Sequence, residues 1–322
     1  MTILLTGVAG FVGYHVTQAL LARGEEVVGV DNLNTYYDVR LKEARLARLE
    51  GQSGFRFVRA DISDRAAMQA VVDSAPGIDR VVHLAAQAGV RYSIEAPFEY
   101  ASSNLIGHLV ILELCRHLKG LKHLVYASSS SVYGANSALP FSEADRVDTP
   151  QSLYAATKRA DELMSYAYGH LYAFPQTGLR FFTVYGPWGR PDMAYFSFAR
   201  AIMASEAITV YDEGRLKRDF TYIDDIVAGV IGALDHPPGG APPVRLLNIG
   251  NNQSETVSHL IETLESALGR QAKIRYAARP AADVVETFAD VTAIGDLTGF
   301  SPKTKLAVGI AKFAEWFLIW NR

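Results

Sequence analysis

The 322-residue sequence predicts an α/β protein built on a doubly wound parallel sheet, and three observations support this fold class. Short apolar runs alternate with amphipathic stretches through the first half of the chain. The runs are hydrophobic at nearly every position, which is typical of strands covered by helices on both faces. Several amphipathic stretches end at a glycine, which is a common signal for a helix C-terminus.

The predicted elements follow from local patterns along the chain. "TILLTG" (2–7) is an apolar run ending in glycine, and "FVGYHVTQALLARG" (11–24) has helical periodicity and closes on a glycine. The apolar run "EVVGVDN" (26–32) and the amphipathic "VRLKEARLARLEG" (39–51) form the next pair. The same criteria predict strands at 55–61, 79–86, 123–128 and 176–182, and helices at 65–75, 96–118 and 152–172.

The regular alternation ends near residue 186, where the turn-rich segment "GPWGRPDM" begins. We therefore expect two domains: residues 1–185 form the sheet domain, and residues 186–322 form mainly a smaller C-terminal lobe. Segments around 218–252 still read as sheet-attached elements, so we expect them to return to the first domain. The C-terminal apolar run "FAEWFLIW" is expected to be the core-facing end of a helix.

Composition excludes several classes of protein. A net charge of −3 gives no sign of the basic surface that a nucleic-acid partner needs. No run reaches the roughly 18 apolar residues of a membrane span, and the chain starts directly in a strand rather than in a signal peptide. Cys115 is the single cysteine, which excludes an internal disulfide and fits a reducing, cytoplasmic location.

Three glycines mark the first strand-to-helix turn. Gly7, Gly10 and Gly13 have G-x-x-G-x-x-G spacing, which differs from G-x-G-x-x-G but suits a tight turn with backbone N–H groups near a pyrophosphate. Asp31 ends the second strand at the distance expected for an acid on the adenosine ribose. The glycine turn and the acid together predict a Rossmann-like domain that binds a dinucleotide. Because an acid at this position repels a 2′-phosphate, NAD is favoured over NADP.

The ends of the other strands predict the rest of the cofactor site, since ligands of open parallel sheets lie across the carboxyl ends of the strands. The residues expected to line it are Phe11, Val12, Asn32, Asp61, Ile62, Leu84, Ala85 and Ala86. His83, a lone histidine in an apolar strand, is expected to be a core residue. No HExxH or CxxC motif occurs, so no metal site is predicted.

"SLYAATKRADEL" (152–163) places Tyr154 and Lys158 four residues apart on one helical face. A neighbouring ammonium favours the phenolate form of a tyrosine and so lowers its pKa, which suits a base at neutral pH. YxxxK alone is a weak signal because it is common in helices. Here it follows a nucleotide-binding pattern and four serines, residues 128–131, at the end of an apolar strand.

Taken together, these motifs resemble the extended short-chain dehydrogenase/reductases, within the NAD-dependent epimerase/dehydratase family. The matching segments are "TGVAGFVG", "HLAAQAGV", "SNLIG", "SSSSVYG", "YAATK", "RFFTVYGP" and "RDFTYIDDI". The resemblance implies that Tyr154 is the base, that Lys158 holds the cofactor ribose, and that Ser129 is the catalytic hydroxyl. It also implies that Asn104 is the active-site asparagine and that Thr183 approaches the nicotinamide.

Within this family the sequence is most similar to the UDP-glucuronate 4-epimerases. The segments are "NTYYDVRLKEARLARL", "AQAGVRYSIEAPFEY" and "GPWGRPDMAYFSF". The resemblance implies interconversion of UDP-glucuronate and UDP-galacturonate through a 4-keto sugar, with tightly held NAD. UDP-glucose 4-epimerase is the first alternative and UDP-glucuronate decarboxylase the second, while an NAD-sensing binding protein is the alternative that is not an enzyme.

The chemistry of this reaction adds a requirement of its own. A 4-keto-glucuronate is a β-keto acid that tends to lose its carboxylate, so a 4-epimerase must hold that group in a protective orientation. The candidate donors are Ser128, Ser130, Arg190 and Arg91. Related dehydratases and decarboxylases have an acid at the position of Ser131, which favours epimerisation here.

The resemblance also suggests contacts to UDP and to a second copy. Arg218 matches the arginine that precedes a "DF/DY-hydrophobic" segment in sugar epimerases, and the stretch 278–290 implies Arg279 and Asp283 as further substrate contacts. Residues 186–322 are thus expected to bind mainly the nucleotide sugar. Relatives commonly pair two helices, here 96–118 and 152–172, so a homodimer is expected.

Overall fold

The structure, a computed structural model, describes residues 1–279 and 284–321. The strands are β1 Thr2–Thr6, β2 Glu26–Asp31, β3 Phe55–Arg59, β4 Ile78–His83, β5 His123–Ser129, β6 Gln176–Phe181, β7 Thr183–Tyr185, β8 Ala207–Tyr211, β9 Lys217–Arg218, β10 Phe220–Tyr222, β11 Val244–Ile249, β12 Glu255–Thr256 and β13 Lys273–Ala277. The helices are α1 Phe11–Ala22, α2 Val39–Ala47, α3 Arg65–Asp73, α4 Tyr92–Glu95, α5 Pro97–Tyr100, α6 Gly107–His117, α7 Leu153–Tyr172, α8 Ala194–Ala204, α9 Ile223–Asp235, α10 Val257–Leu268, α11 Thr292–Thr298 and α12 Leu306–Trp320.

The central sheet has seven parallel strands in the order β11-β6-β5-β4-β1-β2-β3. Its inner strands are apolar and buried; β1, for example, contributes Ile3, Leu4 and Leu5, none of which is more than 1% exposed. The right-handed crossovers run in opposite directions on the two sides of β1, so their helices cover both faces of the sheet. This confirms the predicted doubly wound fold.

The strand order reverses beside β1, since the chain continues from β1 to β2 and β3 on one side and from β4 to β5 and β6 on the other. Such a switch point opens a crevice at the carboxyl ends of the strands, where ligands of this fold class bind. The sheet thus directs the loops that follow β1, β2, β4 and β5 towards a common crevice.

The C-terminal half adds β11 to the edge of the sheet beside β6, and forms three small two-stranded pairs: β7 with β10, β8 with β13, and β9 with β12. α12 packs against α10, and the buried side chains Phe313, Ala314 and Phe317 show that its apolar sequence faces the core, as expected. The division of the chain into two domains stays a prediction.

The helix predicted over 96–118 is not continuous. A π-helical turn, Ala101–Ile106, separates α5 from α6. Asn104 lies in this turn and is 1% exposed, and its side-chain amide bonds to residues on two other segments. Helical periodicity in the sequence does not reveal the extra residue of a π-helical turn. The turn is stabilised by these tertiary hydrogen bonds, which the sequence pattern does not show.

Candidate active site

A cavity of about 520 Å³ occupies the crevice at the carboxyl ends of the strands. It collects residues from distant parts of the sequence, including the glycine turn, the four serines and the C-terminal half. The predicted site residues on its wall are Gly7, Gly10, Phe11, Val12, Gly13, Asp31, Asn32, Ile62, Leu84, Ala85, Ala86, Arg91, Ser128, Ser129, Ser130, Tyr154, Lys158, Thr183, Arg190 and Arg218.

The glycine turn allows backbone segments to approach more closely than side chains would permit. Gly7 has a φ of +78°, and a Cβ atom on it would lie 2.7 Å from the backbone nitrogen of Ala85. A Cβ on Gly13 would lie 2.0 Å from the carbonyl oxygen of Gly7. The turn therefore holds the N-terminus of α1 tightly against the ends of β1 and β4. The N–H groups of the first turn of α1 have no acceptor within the helix, so they form a cradle suited to a pyrophosphate.

Asp31 connects this cradle to the loop after β2. One carboxylate oxygen accepts a hydrogen bond from the backbone N–H of Ala9 at 3.1 Å, and the other accepts from Leu33 N–H at 2.9 Å. The side chain lines the cavity and is 9% exposed. These bonds keep an acidic group at the position where an adenosine ribose lies in dinucleotide-binding folds.

Tyr154 and Lys158 project into the cavity from the first turns of α7, which begins after its N-cap Ser152. The Tyr154 ring packs edge-to-face on Tyr100, with ring centroids 6.1 Å apart. The Lys158 ammonium donates to the carbonyl oxygen of Ala127 at 2.9 Å and to the Asp161 carboxylate at 3.1 Å. An ammonium has three N–H groups, so one remains to point at a ligand.

The four serines end β5 and begin a short 3₁₀ turn. Ser128 is buried and donates to the Glu162 carboxylate at 2.7 Å. Ser129 Oγ caps the turn by accepting from the backbone N–H of Ser131 at 3.2 Å. All four line the cavity, but the hydroxyl of Ser128 is committed to an internal partner.

Glu162 is the centre of a buried ion pair that sequence reasoning does not single out. It receives two hydrogen bonds from the Arg180 guanidinium, at 2.8 and 2.9 Å, and one from Arg159 at 3.0 Å. Both Glu162 and Arg180 are almost fully buried. The sequence signal for this pair was Arg180 inside the apolar strand "GLRFF", because a buried charge requires a partner of opposite charge.

Two arginines line the cavity from different parts of the chain: Arg190 from the C-terminal half and Arg91 from the loop after β4. Arg190 forms an ion pair with Asp192, with Nε 3.1 Å from Oδ1. The hydroxyl of Tyr36 donates to the same carboxylate at 3.1 Å, so this contact joins the loop after β2 to the later segment. Although burial favours the neutral acid, Arg190 lowers the pKa of Asp192 below its usual value. Arg91 lies over the ring of Tyr211 at 5.3 Å.

Some predicted residues lie off the cavity wall or outside the described chain. Asn104 is buried between the loop after β4 and α7, where its amide bonds to Gln87 and to Thr157. Asp61 accepts hydrogen bonds from Asn32 at 2.8 Å and from Ser63 at 2.7 Å. Arg279 is exposed beyond the end of β13. Asp283 lies outside the residues that the structure describes.

Several residues that lie within the segments quoted above, but to which the sequence assigned no role, also line the cavity: Asn34, Tyr36, Tyr37, Lys42 and Gln87. Lys42 is the most informative of them, because its ammonium donates to Asn34 Oδ1 at 2.6 Å and lies over the Tyr37 ring at 4.8 Å. Burial lowers the pKa of Lys42 to about 8. Its position on the amphipathic helix α2 makes it look like a solvated lysine in the sequence.

His83 is a core residue, as expected. Its Nδ1 lies 2.7 Å from Thr6 Oγ1, and burial lowers the pKa of the imidazole to about 3, so the ring is neutral at physiological pH. Across residues 1–279 and 284–321, no cluster of three or more His, Cys, Asp or Glu side chains could hold a metal ion. Within the same residues, no helix has the length and apolar character to cross a membrane.

Comparison with known proteins places these observations in a family. A model of the NAD dependent epimerase/dehydratase family matches residues 3–250. A probable UDP-glucuronate 4-epimerase of Rhizobium meliloti (strain 1021) is 46% identical over 332 residues, covering 98% of this chain and 97% of that protein. UDP-glucuronate 4-epimerase 3 of Arabidopsis thaliana is 47% identical, covering 98% of this chain and 76% of that protein.

A solved structure has a similar fold. The crystal structure of a UDP-glucuronic acid 4-epimerase from Bacillus cereus, in complex with UDP-glucuronic acid and NAD, superposes with a TM-score of 0.90. The two sequences are 33% identical, and the match covers 99% of this chain and 100% of that one.

Proposed function

The chain belongs to the NAD-dependent epimerase/dehydratase family, and we propose that it is a UDP-glucuronate 4-epimerase that interconverts UDP-glucuronate and UDP-galacturonate. One observation carries the proposal: Tyr154, Lys158, Arg190 and four serines, with no acid among the serines, share one cavity with the glycine turn. The relatives named above support the same activity.

The glycine turn and Asp31 fit NAD. The close approach of Gly7 and Gly13 to backbone atoms leaves room for a pyrophosphate against the N-terminus of α1, and Asp31 suits the adenosine ribose. Phe11, Val12, Ile62 and the segment Leu84–Ala86 complete the wall. When bound, NAD supplies a reversible hydride acceptor for carbon 4 of the sugar.

Tyr154 accepts the proton of the carbon-4 hydroxyl as the sugar is oxidised, and returns it when the sugar is reduced. The ammonium of Lys158 favours the phenolate by its charge, and the N–H that its bonds to Ala127 and Asp161 leave unused can donate to the ligand. Ser129 lies beside them on the cavity wall and hydrogen-bonds the reacting oxygen. The 4-keto sugar rotates in the cavity, so that its other face is reduced, and the net reaction is redox-neutral.

Holding the sugar carboxylate distinguishes this reaction from decarboxylation. Arg190 places a guanidinium charge on the cavity wall that suits a carboxylate, while the Nε and Nη2 edge of the same group pairs with Asp192. Ser130, Thr183 and Arg91 line the same cavity. Arg218, on β9 beside the segment that follows residue 284, suits the diphosphate. We assign residues 186–322 mainly to nucleotide-sugar binding, with Arg279 and Asp283 as further substrate contacts. Asn104 and Asp61 are assigned to the cofactor.

The experiment is to incubate the purified protein with UDP-glucuronate or with UDP-glucose, each with and without added NAD, and to separate the products by anion exchange. We expect UDP-galacturonate from UDP-glucuronate and no UDP-pentose. Turnover of UDP-glucose alone would overturn the substrate assignment, and a UDP-pentose as main product would identify a decarboxylase.

The matched control is Tyr154→Phe, which keeps the ring that packs on Tyr100 and removes the hydroxyl. We expect turnover to fall by about 10²- to 10⁴-fold, as for loss of a general base, while the amount of bound NAD stays unchanged. Full activity of this variant would contradict the role of Tyr154.

We also propose that the protein is a homodimer. Large exposed apolar side chains concentrate on the segment from α4 to α6 and on α7, namely Ile94, Phe98, Ile106, Leu109, Leu163, Tyr166 and Leu171. Phe98 is 86% exposed, and a second copy would cover this surface. Leu163→Glu combined with Leu171→Glu should give a monomer in light scattering, whereas Ile319→Glu on α12 should not.

A cytoplasmic location fits these proposals. The single cysteine, Cys115, is buried, and burial raises the pKa of its thiol, so it is an unreactive free thiol. NAD and UDP-sugars are metabolites of the cell interior. Imaging a tagged copy together with cell fractionation tests this assignment.

A further inference from the structure

Asp161 lies directly behind the cavity, one helical turn after Lys158 on α7. Its Oδ2 atom lies 3.1 Å from the Lys158 ammonium nitrogen, and both side chains are almost completely buried. Its other carboxylate oxygen, Oδ1, is buried and has no hydrogen-bond partner among the described residues. Both oxygens of a buried carboxylate normally accept hydrogen bonds. A buried carboxylate with a hydrogen-bond partner on one oxygen only therefore requires an explanation, and a role in the site is one.

The neighbouring groups do not supply another partner for it. Glu162 on the same helix is neutralised by Arg180 on β6 and by Arg159. His83 on β4 and His108 on α6 stack with centroids 5.4 Å apart, and burial holds the pKa of each far below its usual value. Tyr126 on β5 is also buried, and burial raises the pKa of its hydroxyl. These rings are neutral at physiological pH, so the charge of Asp161 acts mainly on Lys158.

The carboxylate lowers stability at neutral pH. Burial raises the pKa of Asp161 to about 6, and the attraction of Lys158 offsets only part of that effect. Burial therefore makes the carboxylate less favourable in the folded protein than in the unfolded chain, although a pKa of about 6 leaves it mainly ionised at pH 7. Groups that lower stability in this way commonly serve the active site.

We propose that Asp161 is a positioning residue that sets the pH at which Tyr154 becomes a base. It fixes the Lys158 ammonium between its own carboxylate and the Ala127 carbonyl, and its negative charge offsets part of the ammonium's field at the phenol. This inference rests on the proposed role of Tyr154. Without Asp161, Lys158 would act on Tyr154 with its full charge and would favour the phenolate at lower pH.

The test is a titration of the Tyr154 phenol in the purified protein, with and without NAD. The absorbance of phenolate near 295 nm is followed against pH, and the same curve for Tyr154→Phe is subtracted. We expect Asp161→Asn to lower the Tyr154 midpoint by about 0.5 to 1 pH unit, since one charge is removed within a partly screened interior. Asp161→Ser should shift the midpoint in the same direction, whereas Asp161→Glu should stay near the wild type.

Asp225→Asn is the matched control, because Asp225 is a buried aspartate in the first turn of α9 that accepts hydrogen bonds from the backbone N–H groups of residues 303 and 304. This control should leave the Tyr154 midpoint in place. In epimerase assays, the acid limb of the kcat profile of Asp161→Asn should move with the midpoint.

A Tyr154 midpoint that is unchanged in both Asp161→Asn and Asp161→Ser would overturn the inference and leave Asp161 a packing residue. The titration needs no substrate, so it can succeed or fail independently of whether UDP-glucuronate is turned over. A shifted midpoint with no epimerase activity would support Asp161 and contradict the proposed function.

Discussion

The four serines at the end of β5 have the same side chain but different surroundings. Ser128 is buried and bonded to Glu162, Ser129 caps the following turn, and Ser130 is half-buried on the cavity wall. The sequence motif predicts a polar cluster at the cavity. Which hydroxyl can reach a ligand depends on Glu162, which is 34 residues away in sequence.

These surroundings predict different effects of Ser128→Ala and Ser130→Ala. Ser128→Ala should lower the free energy of unfolding by about 1.5 to 3 kcal/mol, because a buried hydrogen bond to a charged group is lost. Ser130→Ala should keep stability but raise KM for UDP-glucuronate or release a UDP-pentose. Thermal unfolding and product chromatography test both, and absence of any kinetic effect in both variants would remove these serines from the site.

The glycine turn and α1 act together as one element. Gly7 needs its positive φ, and Gly13 needs the absence of a side chain, because their neighbours are backbone atoms that cannot rotate away. Spacing in the sequence predicts this turn well, since the requirement is local. The π-helical turn cannot be predicted from local spacing, because Asn104 in it is held by hydrogen bonds to residues on two other segments.

At the element scale we predict that Gly13→Ala loses bound nucleotide. The new Cβ would lie 2.0 Å from the Gly7 carbonyl oxygen, so the N-terminus of α1 must move away from the cradle. We expect nucleotide affinity to fall at least about tenfold, which corresponds to about 1.4 kcal/mol. Nucleotide released on denaturation measures occupancy, and calorimetry measures affinity.

Gly24→Ala is the control for this prediction. Gly24 also has a positive φ, +77°, but a Cβ there meets no atom within 4 Å. We expect a loss of about 1–2 kcal/mol in stability from backbone strain, with nucleotide binding unchanged. Equal loss of nucleotide in both variants would show that general destabilisation, rather than the cradle, explains the effect of Gly13→Ala.

For the whole molecule, buried titratable groups determine how stability depends on pH. Burial lowers the pKa of His15 to about 4, of His83 to about 3 and of His123 to about 4, and the pKa of His108 lies well below its usual value. Asp161 and Asp219 have the opposite shift, to about 6. The histidines are more numerous, so their effect dominates.

The sign follows from proton uptake. Below pH 6.5 the histidines of the unfolded chain take up protons while those of the folded chain do not, so the free energy of unfolding decreases as the pH is lowered. The two aspartates oppose this between about pH 6 and 4, because there they bind protons in the folded state but not in the unfolded state. Near pH 5 the unfolded state binds about two more protons, which is a loss of about 3 kcal/mol per pH unit. The melting temperature should fall steadily from pH 7 to pH 5, and a flat or rising melting temperature would contradict this account.

The sequence by itself determined the sheet, the glycine turn, Asp31 and the Tyr154–Lys158 pair, because these depend on local periodicity and on spacing within one or two elements. Only the tertiary structure revealed the Glu162–Arg180 pair, the burial of Asp161, the entry of Lys42 into the cavity and the contact of Tyr36 with Asp192. Burial and charge partners depend on which distant segments meet, and a linear pattern does not contain that information. The environment of each side chain, and hence its pKa, was therefore decided by the packing of the whole chain.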